Sequence, residues 1–291
     1  MSLNSFAVAL ILCIAAMPQS MATEALWLSD MDDAAAIYKN VPGIDINAAT
    51  RRLLLEYMPL HQDSISIVNN ERAFQILKSH ERACSGNKVR NAERETFAYF
   101  STLPQLIFPG LRLYMLQATA DAVQLNLNAA DETVHSLANL SITLPKARIG
   151  VVGGRNYGEP LQLLFEQLAT RNRIYTRTAS DMTAAALLDM LVSGRIELLI
   201  EYPNVVQHYA EALNHAVPLV SVTISEAADY AGGYIMCSKT EQGEKLALAY
   251  SNAIRQASHD KRYLQAHLRW FDISSHEKVT ALYNHIYGTH F

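Results

Sequence analysis

Polar and apolar positions along the chain fall into two successive series of the same form. In the first, Ala25–Ser29 (ALWLS) reads as a strand that stops at the acidic run Asp30-Met31-Asp32-Asp33. Past Pro42-Gly43, Ile46, Ala49, Leu53 and Leu54 recur at helical spacing. They predict a helix capped by Asp45 or Asn47 and running to Met58. Ser64–Val68 alternates and is β-branched, the pattern of a half-buried strand. Ala73, Phe74, Ile76 and Leu77 line one face of the next helix, with Asn70 as its cap. The segment Arg82–Pro104 opens on a third strand, turns polar, and recovers in the aromatic run Phe97–Phe100. Strands alternating with helices imply a parallel sheet wrapped by helices.

Leu106–Gln117 is extended and apolar around Pro109-Gly110 and reads as a crossover strand. Residues 118–147 read as a linker with one helical patch near Asp131–Leu140. The second series starts with the strand Arg148–Val152 and the turn Gly153-Gly154-Arg155-Asn156. A helix follows with Leu161, Leu164, Phe165 and Leu168 inward, then a strand at Ile174–Thr178. Asp181 can cap the next helix, which Gly194 ends. Glu197–Glu201 is a strand, Tyr202-Pro203 starts a helix, and Leu219–Thr223 and Gly233–Cys237 are the last strands. Amphipathic helices fill the chain from Thr240 onward.

Length and composition leave room for two such halves. The chain has 291 residues, half of them hydrophobic and 18% charged, which excludes global disorder. A net charge of −4 gives no footprint for nucleic acid or an anionic membrane. Residues 1–22 carry no charged side chain, and the apolar run Phe6–Met17 falls short of the about 20 residues that cross a bilayer. Ser20-x-Ala22 fits the small-x-small cleavage rule. Residues 1–22 are therefore expected to be a signal peptide cut near Ala22, with a buried amino-terminal helix as the alternative. No later segment is apolar enough to span a membrane. The histidines are scattered, and neither H-E-x-x-H, G-x-G-x-x-G nor G-x-S-x-G occurs, so no metal, cofactor or nucleophile is expected.

Strand, polar turn, Asn91-Ala92-Glu93-Arg94, and aromatic residues closing on Phe100-Ser101 resemble a ligand segment of a known family. It belongs to the periplasmic solute-binding proteins of polar amino-acid uptake systems, where Thr-x-x-Arg precedes Phe-Ser-x-Pro. Gly43-Ile-Asp-Ile is similar to that family's Gly-Phe-Asp-Ile. Gly194-Arg-Ile-Glu197 is similar to its Gly-Arg-Val-Asp, and Arg148–Gly154 to the opening of its second lobe. The resemblance covers nearly the whole expected mature chain and implies an α/β, two-lobed type II periplasmic binding-protein fold. Each lobe would be a mixed, mostly parallel sheet flanked by helices, the two joined by two crossover strands. The expected division is 23–115 for the first part of lobe 1, 116–235 for lobe 2, and 236–291 for the return to lobe 1. Ligand would be held between lobes that close on it, by rotation about crossovers at Leu111–Gln117 and Tyr234–Ser238.

Candidate site residues follow from the chemistry of the segments so matched. Arg94 offers a planar fork of donors that suits a carboxylate, with Asn87 and Asn91 as further candidates in its segment. Asp30 and Asp32, at the carboxyl end of the first strand, would hold an ammonium or a metal, or are simply solvated loop charge. Gly153-Gly154-Arg155-Asn156 would present backbone N–H groups to an anion, or is only a tight turn; Arg155 stands where relatives often have threonine. Glu201 lies where relatives carry an aspartate for the ligand's amino group, and Tyr202 competes with it because a one-residue slip reverses the face. The resemblance also places Cys84 and Cys237 level on antiparallel neighbouring strands, implying a disulfide, the alternative being two buried thiols. The function so implied is non-catalytic, periplasmic binding of a small polar, amino-acid-like or carboxylate-bearing solute. It would be delivered to an ABC permease or reported to a membrane sensor. Two other readings stand beside it: a same-fold dehydratase of cyclic amino-acid precursors using Asp30 and Glu201, and a decayed binding module kept for protein interaction.

Overall fold

A computed structural model describes residues 24–29, 46–58, 62–125, 134–178, 183–212, 218–271 and 273–291. The expected signal peptide, the acidic run at Asp30, Asp32 and Asp33, and the caps Asp45 and Asp181 lie outside these residues.

The first α/β series forms as the pattern predicts. Strand β1 (Glu24–Ser29) runs parallel to β2 (Gln62–Ile67) on one side and to β3 (Ala83–Lys88) on the other. Helices α1 (Ile46–Glu56) and α2 (Asn70–Ser79) make the connections. The cap of α2 is Asn69 rather than Asn70: Asn69 Oδ1 accepts the Arg72 backbone N–H, and Asn70 is already inside the helix. Short helix α3 (Ala92–Glu95) leads to β4 (Ala98–Phe100) and then β5 (Leu106–Pro109).

The second lobe begins with β6 (Arg112–Leu116) and α4 (Gln117–Ala122), then β7 (Val134–His135) and α5 (Leu137–Thr143). The stretch expected to be a linker thus contributes a sheet edge and two helices. Its second helix starts at Leu137, later than the expected patch, because Ser136 caps it and Glu226 accepts the Leu137 and Ala138 N–H groups. The parallel core follows as β8 (Ile149–Val152), α6 (Glu159–Ala169), β9 (Ile174–Arg177), α7 (Thr183–Val192) and β10 (Leu198–Glu201). Helix α8 (Pro203–Ala212) and strand β11 (Leu219–Ile224) complete the lobe. The long strand β12 (Tyr230–Ser238) returns to the first sheet, and α9 (Glu241–Ala257), α10 (Lys261–Leu268) and α11 (His276–Tyr287) pack on it.

Among the described residues the strands make two six-stranded mixed sheets. One is ordered β2-β1-β3-β12-β4 with β5 beside β12, the other β7-β11-β6-β10-β8-β9. The returning strands β12 and β6 are antiparallel to their neighbours, the rest parallel. The chain passes between sheets at Gly110-Leu111 and at 225–229, so the expected divisions at 115/116 and 235/236 fall inside β6 and β12. The two passages touch: a Cβ on Gly110 would stand 1.8 Å from Ala228 O, and Gly110 N–H donates to Asp229 O at 2.9 Å.

The first-lobe core packs Trp27, Leu54, Ile107, Ile235, Tyr250 and Ile254 around the Cys84–Cys237 disulfide. These cysteines are directly opposed in the β3–β12 ladder, with Cα atoms 4.1 Å apart. The second-lobe core packs Leu187, Leu188, Leu191, Ile196 and Leu199 under α7 on one face of its sheet. On the other face Leu113, Ile149, Leu161, Phe165 and Leu198 form a cluster that continues to Phe108 and Phe271 of the first lobe.

Candidate functional site

The polar turn after β3 positions Arg94. Asn91 caps α3 by accepting the Arg94 backbone N–H at 2.8 Å, which fixes where the arginine side chain leaves the chain. Arg94 is only 8% exposed, and its guanidinium lies 4.8 Å from the centre of the Phe74 ring. Nη1 donates to Val89 O at 2.8 Å. Among the described residues no carboxylate pairs with it. Burial pulls its pKa down, against the opposing fields of Glu93 and of Tyr202 in the second lobe.

Across the lobes, the carboxyl ends of β8 and β10 bring together residues 46 positions apart. Gly154 takes a left-handed turn at φ 73°, and Arg155 follows it. Arg155 Nη1 donates to Glu201 Oε1 in an ion pair whose arginine side chain is 24% exposed and whose glutamate is 1% exposed. The Tyr202 N–H donates to the same Oε1 at 2.9 Å, while among the described residues Oε2 is buried without a partner. The guanidinium is flanked by the rings of Tyr157 and Tyr202, at 5.8 and 5.6 Å. Burial alone would lower the Arg155 pKa; Glu201 and the two phenols reverse this and hold it above the ordinary arginine value. Glu201 serves Arg155, and the Tyr202 ring crosses to the first lobe, packing edge-on against Phe108 with centroids 4.5 Å apart. Burial pushes both phenols up to about 12, against the lowering field of Arg155.

Two further candidates, Asn87 and Asn156, make contacts of their own within turns. Asn87 is exposed, with φ 53° and its N–H directed to Gln105 Oε1, and its backbone abuts Gly233 on β12. Asn156 Oδ1 accepts the Gly158 N–H at 2.8 Å and shapes the turn before α6. Asp30 and Asp32 lie outside the described residues. Sequence reasoning passed over Phe108 and Tyr157. The signal for Tyr157 was its place in a glycine-flanked turn; Phe108 had only its place beside Pro109-Gly110. Among the described residues no group of three or more His, Cys, Asp or Glu is placed to hold a metal ion, and no helix is long and apolar enough to cross a membrane.

No family model matches the sequence, and no curated protein matches it. Solved structures do match, over most of both chains. A protein described as an L-cystine ABC transporter from Listeria monocytogenes superimposes with a TM-score of 0.61 at 15% identity, covering 86% of this chain and 97% of its own. The chain has the type II periplasmic binding-protein fold. A histidine kinase sensor domain with similarity to periplasmic binding proteins shares this fold at TM-score 0.61 and 14% identity, over 85% of this chain and 97% of that one. An ancestral arginine-binding protein bound to arginine shares it at TM-score 0.60 and 13% identity, over 86% and 98%. In this binding-protein fold, Arg94 follows the carboxyl end of β3, and Arg155, Glu201 and Tyr202 gather at the carboxyl ends of β8 and β10. That is the end of an open α/β sheet at which ligands bind.

Proposed function

We propose that this protein is an exported solute-binding protein that closes on a small carboxylate-bearing, amino-acid-like solute between its lobes. Residues 1–22 are its signal peptide, and the periplasm is its place of work. The observation that carries the reading is Arg94, a nearly buried guanidinium on the first lobe without a carboxylate partner among the described residues. A buried cation is costly unless paired, so an anion arriving in the cleft completes it. Arg155, Glu201 and Tyr202 form the facing wall. The fold neighbours support a binding role, one described as an ABC transporter and one as a kinase sensor domain. Delivery to an ABC permease and reporting to a membrane sensor both use the closing of the lobes. Glu201 is committed to Arg155 and the Tyr202 N–H rather than standing free as a proton acceptor, which favours binding over dehydratase chemistry.

The test is a thermal-shift screen of amino acids and small carboxylates, followed by calorimetry on Arg94→Ala. A hit at a hundredfold excess over Kd stabilises by about 2.7 kcal/mol. The alanine variant is expected to lose about 1.5–3 kcal/mol of binding with its melting temperature in the absence of ligand little changed. Unchanged affinity in that variant would overturn the assignment.

A further inference from the structure

Strand β3 carries a bulge just before the turn that leads to Arg94. Between the pairs Lys88–Tyr234 and Ser85–Met236, two residues of β3, Gly86 and Asn87, face one of β12. Asn87 there holds a φ of 53°, which a residue with a β-carbon adopts rarely. The N–H that the bulge takes out of the ladder is received by Gln105, the wholly buried residue just before β5: its Oε1 accepts the Asn87 N–H at 3.3 Å. The same amide's Nε2 donates to Asn47 O, Asn47 Oδ1 and Thr50 Oγ1 of α1 at 3.1, 2.9 and 3.0 Å. Gly86 leaves room for it, since a β-carbon at that position would stand 2.4 Å from Gln105 Oε1. We infer that Gln105 is the positioning residue of the Arg94 site, holding the bulge in shape and with it the turn from which the guanidinium projects.

This deepens the binding reading above and rests on it. From Asn87 the chain runs through Val89, whose carbonyl accepts Arg94 Nη1, to Asn91, whose side chain caps α3. The cap holds the far end of this turn, and Gln105 holds the near end. Bulges re-aim the side chains that follow them, so the shape of this one decides where Val89 O meets the guanidinium. A buried amide is costly unless its donors and acceptor are bonded, and here they are, which specifies one arrangement of α1, the bulge and β5. An apolar side chain of equal length would fill the same space but leave the Asn87 N–H and Asn47 Oδ1 without that support. The backbone of Gln105 adds the return strand, because its N–H donates to Gly233 O at 2.7 Å. Arg94 is thereby set with respect to both crossovers.

The experiment compares the full chain with Gln105→Met, which keeps the side-chain length and loses the amide. The control is Tyr263→Phe, which removes a hydroxyl bonded to Gln105 O and leaves the amide alone. Amide exchange at Asn87 and at Leu26 of β1 is followed by NMR without added solute, and calorimetric titration uses the common L-amino acids, acetate and succinate. Gln105→Met is expected to speed exchange at Asn87 by about tenfold or more, with Leu26 unchanged. It is also expected to weaken by about tenfold or more the binding of any probe that Arg94→Ala loses. Tyr263→Phe is expected to lower the melting temperature and leave both readouts at the wild-type level. Should Gln105→Met fail to fold, Thr50→Val removes one acceptor of the amide, and the same changes are expected at about threefold or more. Unchanged exchange at Asn87, unchanged affinity, or an equal loss of affinity in Tyr263→Phe would overturn the role of Gln105 and leave the cleft reading standing. Binding of no probe, or binding indifferent to Arg94→Ala, would overturn the cleft reading and this inference with it.

Discussion

Replacing both half-cystines, as Cys84→Ala with Cys237→Ala, tests the first-lobe architecture most directly. The bond joins residues 153 positions apart, and both cysteines are wholly buried in the core that includes Trp27 and Tyr250. On the chain-entropy account, closing a loop of that length removes about 17 cal/mol/K from the unfolded chain, or about 5 kcal/mol at 25 °C. That is a large part of the 5–15 kcal/mol of a typical domain's stability. With a urea slope of about 3 kcal/mol/M, the unfolding midpoint of the double variant should fall by about 1.7 M. The slope itself should rise, because an uncrosslinked denatured chain exposes more surface. Equilibrium unfolding in urea, followed by far-UV circular dichroism, reads both quantities. Alkylation in denaturant followed by mass spectrometry gives the control: reduction should add two modified thiols to periplasmically expressed wild type. A midpoint unmoved by the double substitution, or no gain of thiols on reduction, would refute the bond and the β3–β12 register on which it depends.

Two further expectations concern pH. His267 is fully buried among Tyr263, Tyr283 and Tyr287, and burial, only partly offset by its bond to Tyr263 O, holds its pKa down to about 4. Its unfolded form charges near 6.5, so stability is complete above that value and falls as pH drops toward 4, by roughly 3 kcal/mol. His267→Leu should flatten that part of the urea-midpoint curve, and an unchanged slope would count against a neutral buried imidazole. Glu226 accepts the Leu137 and Ala138 N–H groups and the Ser136 hydroxyl; burial raises its pKa, but these bonds more than reverse that. Its contribution is present above the ordinary carboxyl range and lost as pH falls through its lowered folded value. Glu226→Gln should cost about 1 kcal/mol at pH 7 and nothing in strongly acid solution, measured by the same midpoints.

The alternation of strands and helices was legible because each buried run in both series carries its own period. Leu161, Phe165 and Leu168 came out buried as their spacing requires, and so did Ala73 and Leu77. Where the reading slipped, local chemistry had two near-equal choices. Asn69 and Asn70 are adjacent and either side chain can cap; the structure gives the cap to Asn69 and leaves Asn70 to accept from Lys88. The short second-lobe pieces between 117 and 143 have too few residues for a period, and the start of the second helix is set by Glu226, about 90 positions away in sequence. Arg94 was readable through a segment motif. The Arg155–Glu201 pair was not, because no local pattern announces a contact between the ends of two strands separated by a helix, a strand and another helix. Asn91, expected as a ligand candidate, is placed as the cap that a single-turn helix needs.

The contact between the two passages at Gly110 and Ala228 has a mechanical consequence. Two independent tethers would let one body twist, tilt and slide against the other. Here they are pressed together with no room for a side chain, and Gly110 N–H is bonded to Asp229 O. They behave as a single ribbon rather than as two threads. A ribbon bends readily about the axis across its width and resists shear along it, so the joint resembles a door hinge more than a ball and socket. Relative motion of the two bodies is thereby reduced toward one coordinate. A β-carbon at position 110 would act as a wedge in the pin of that hinge, altering its resting angle without touching either face of the cleft.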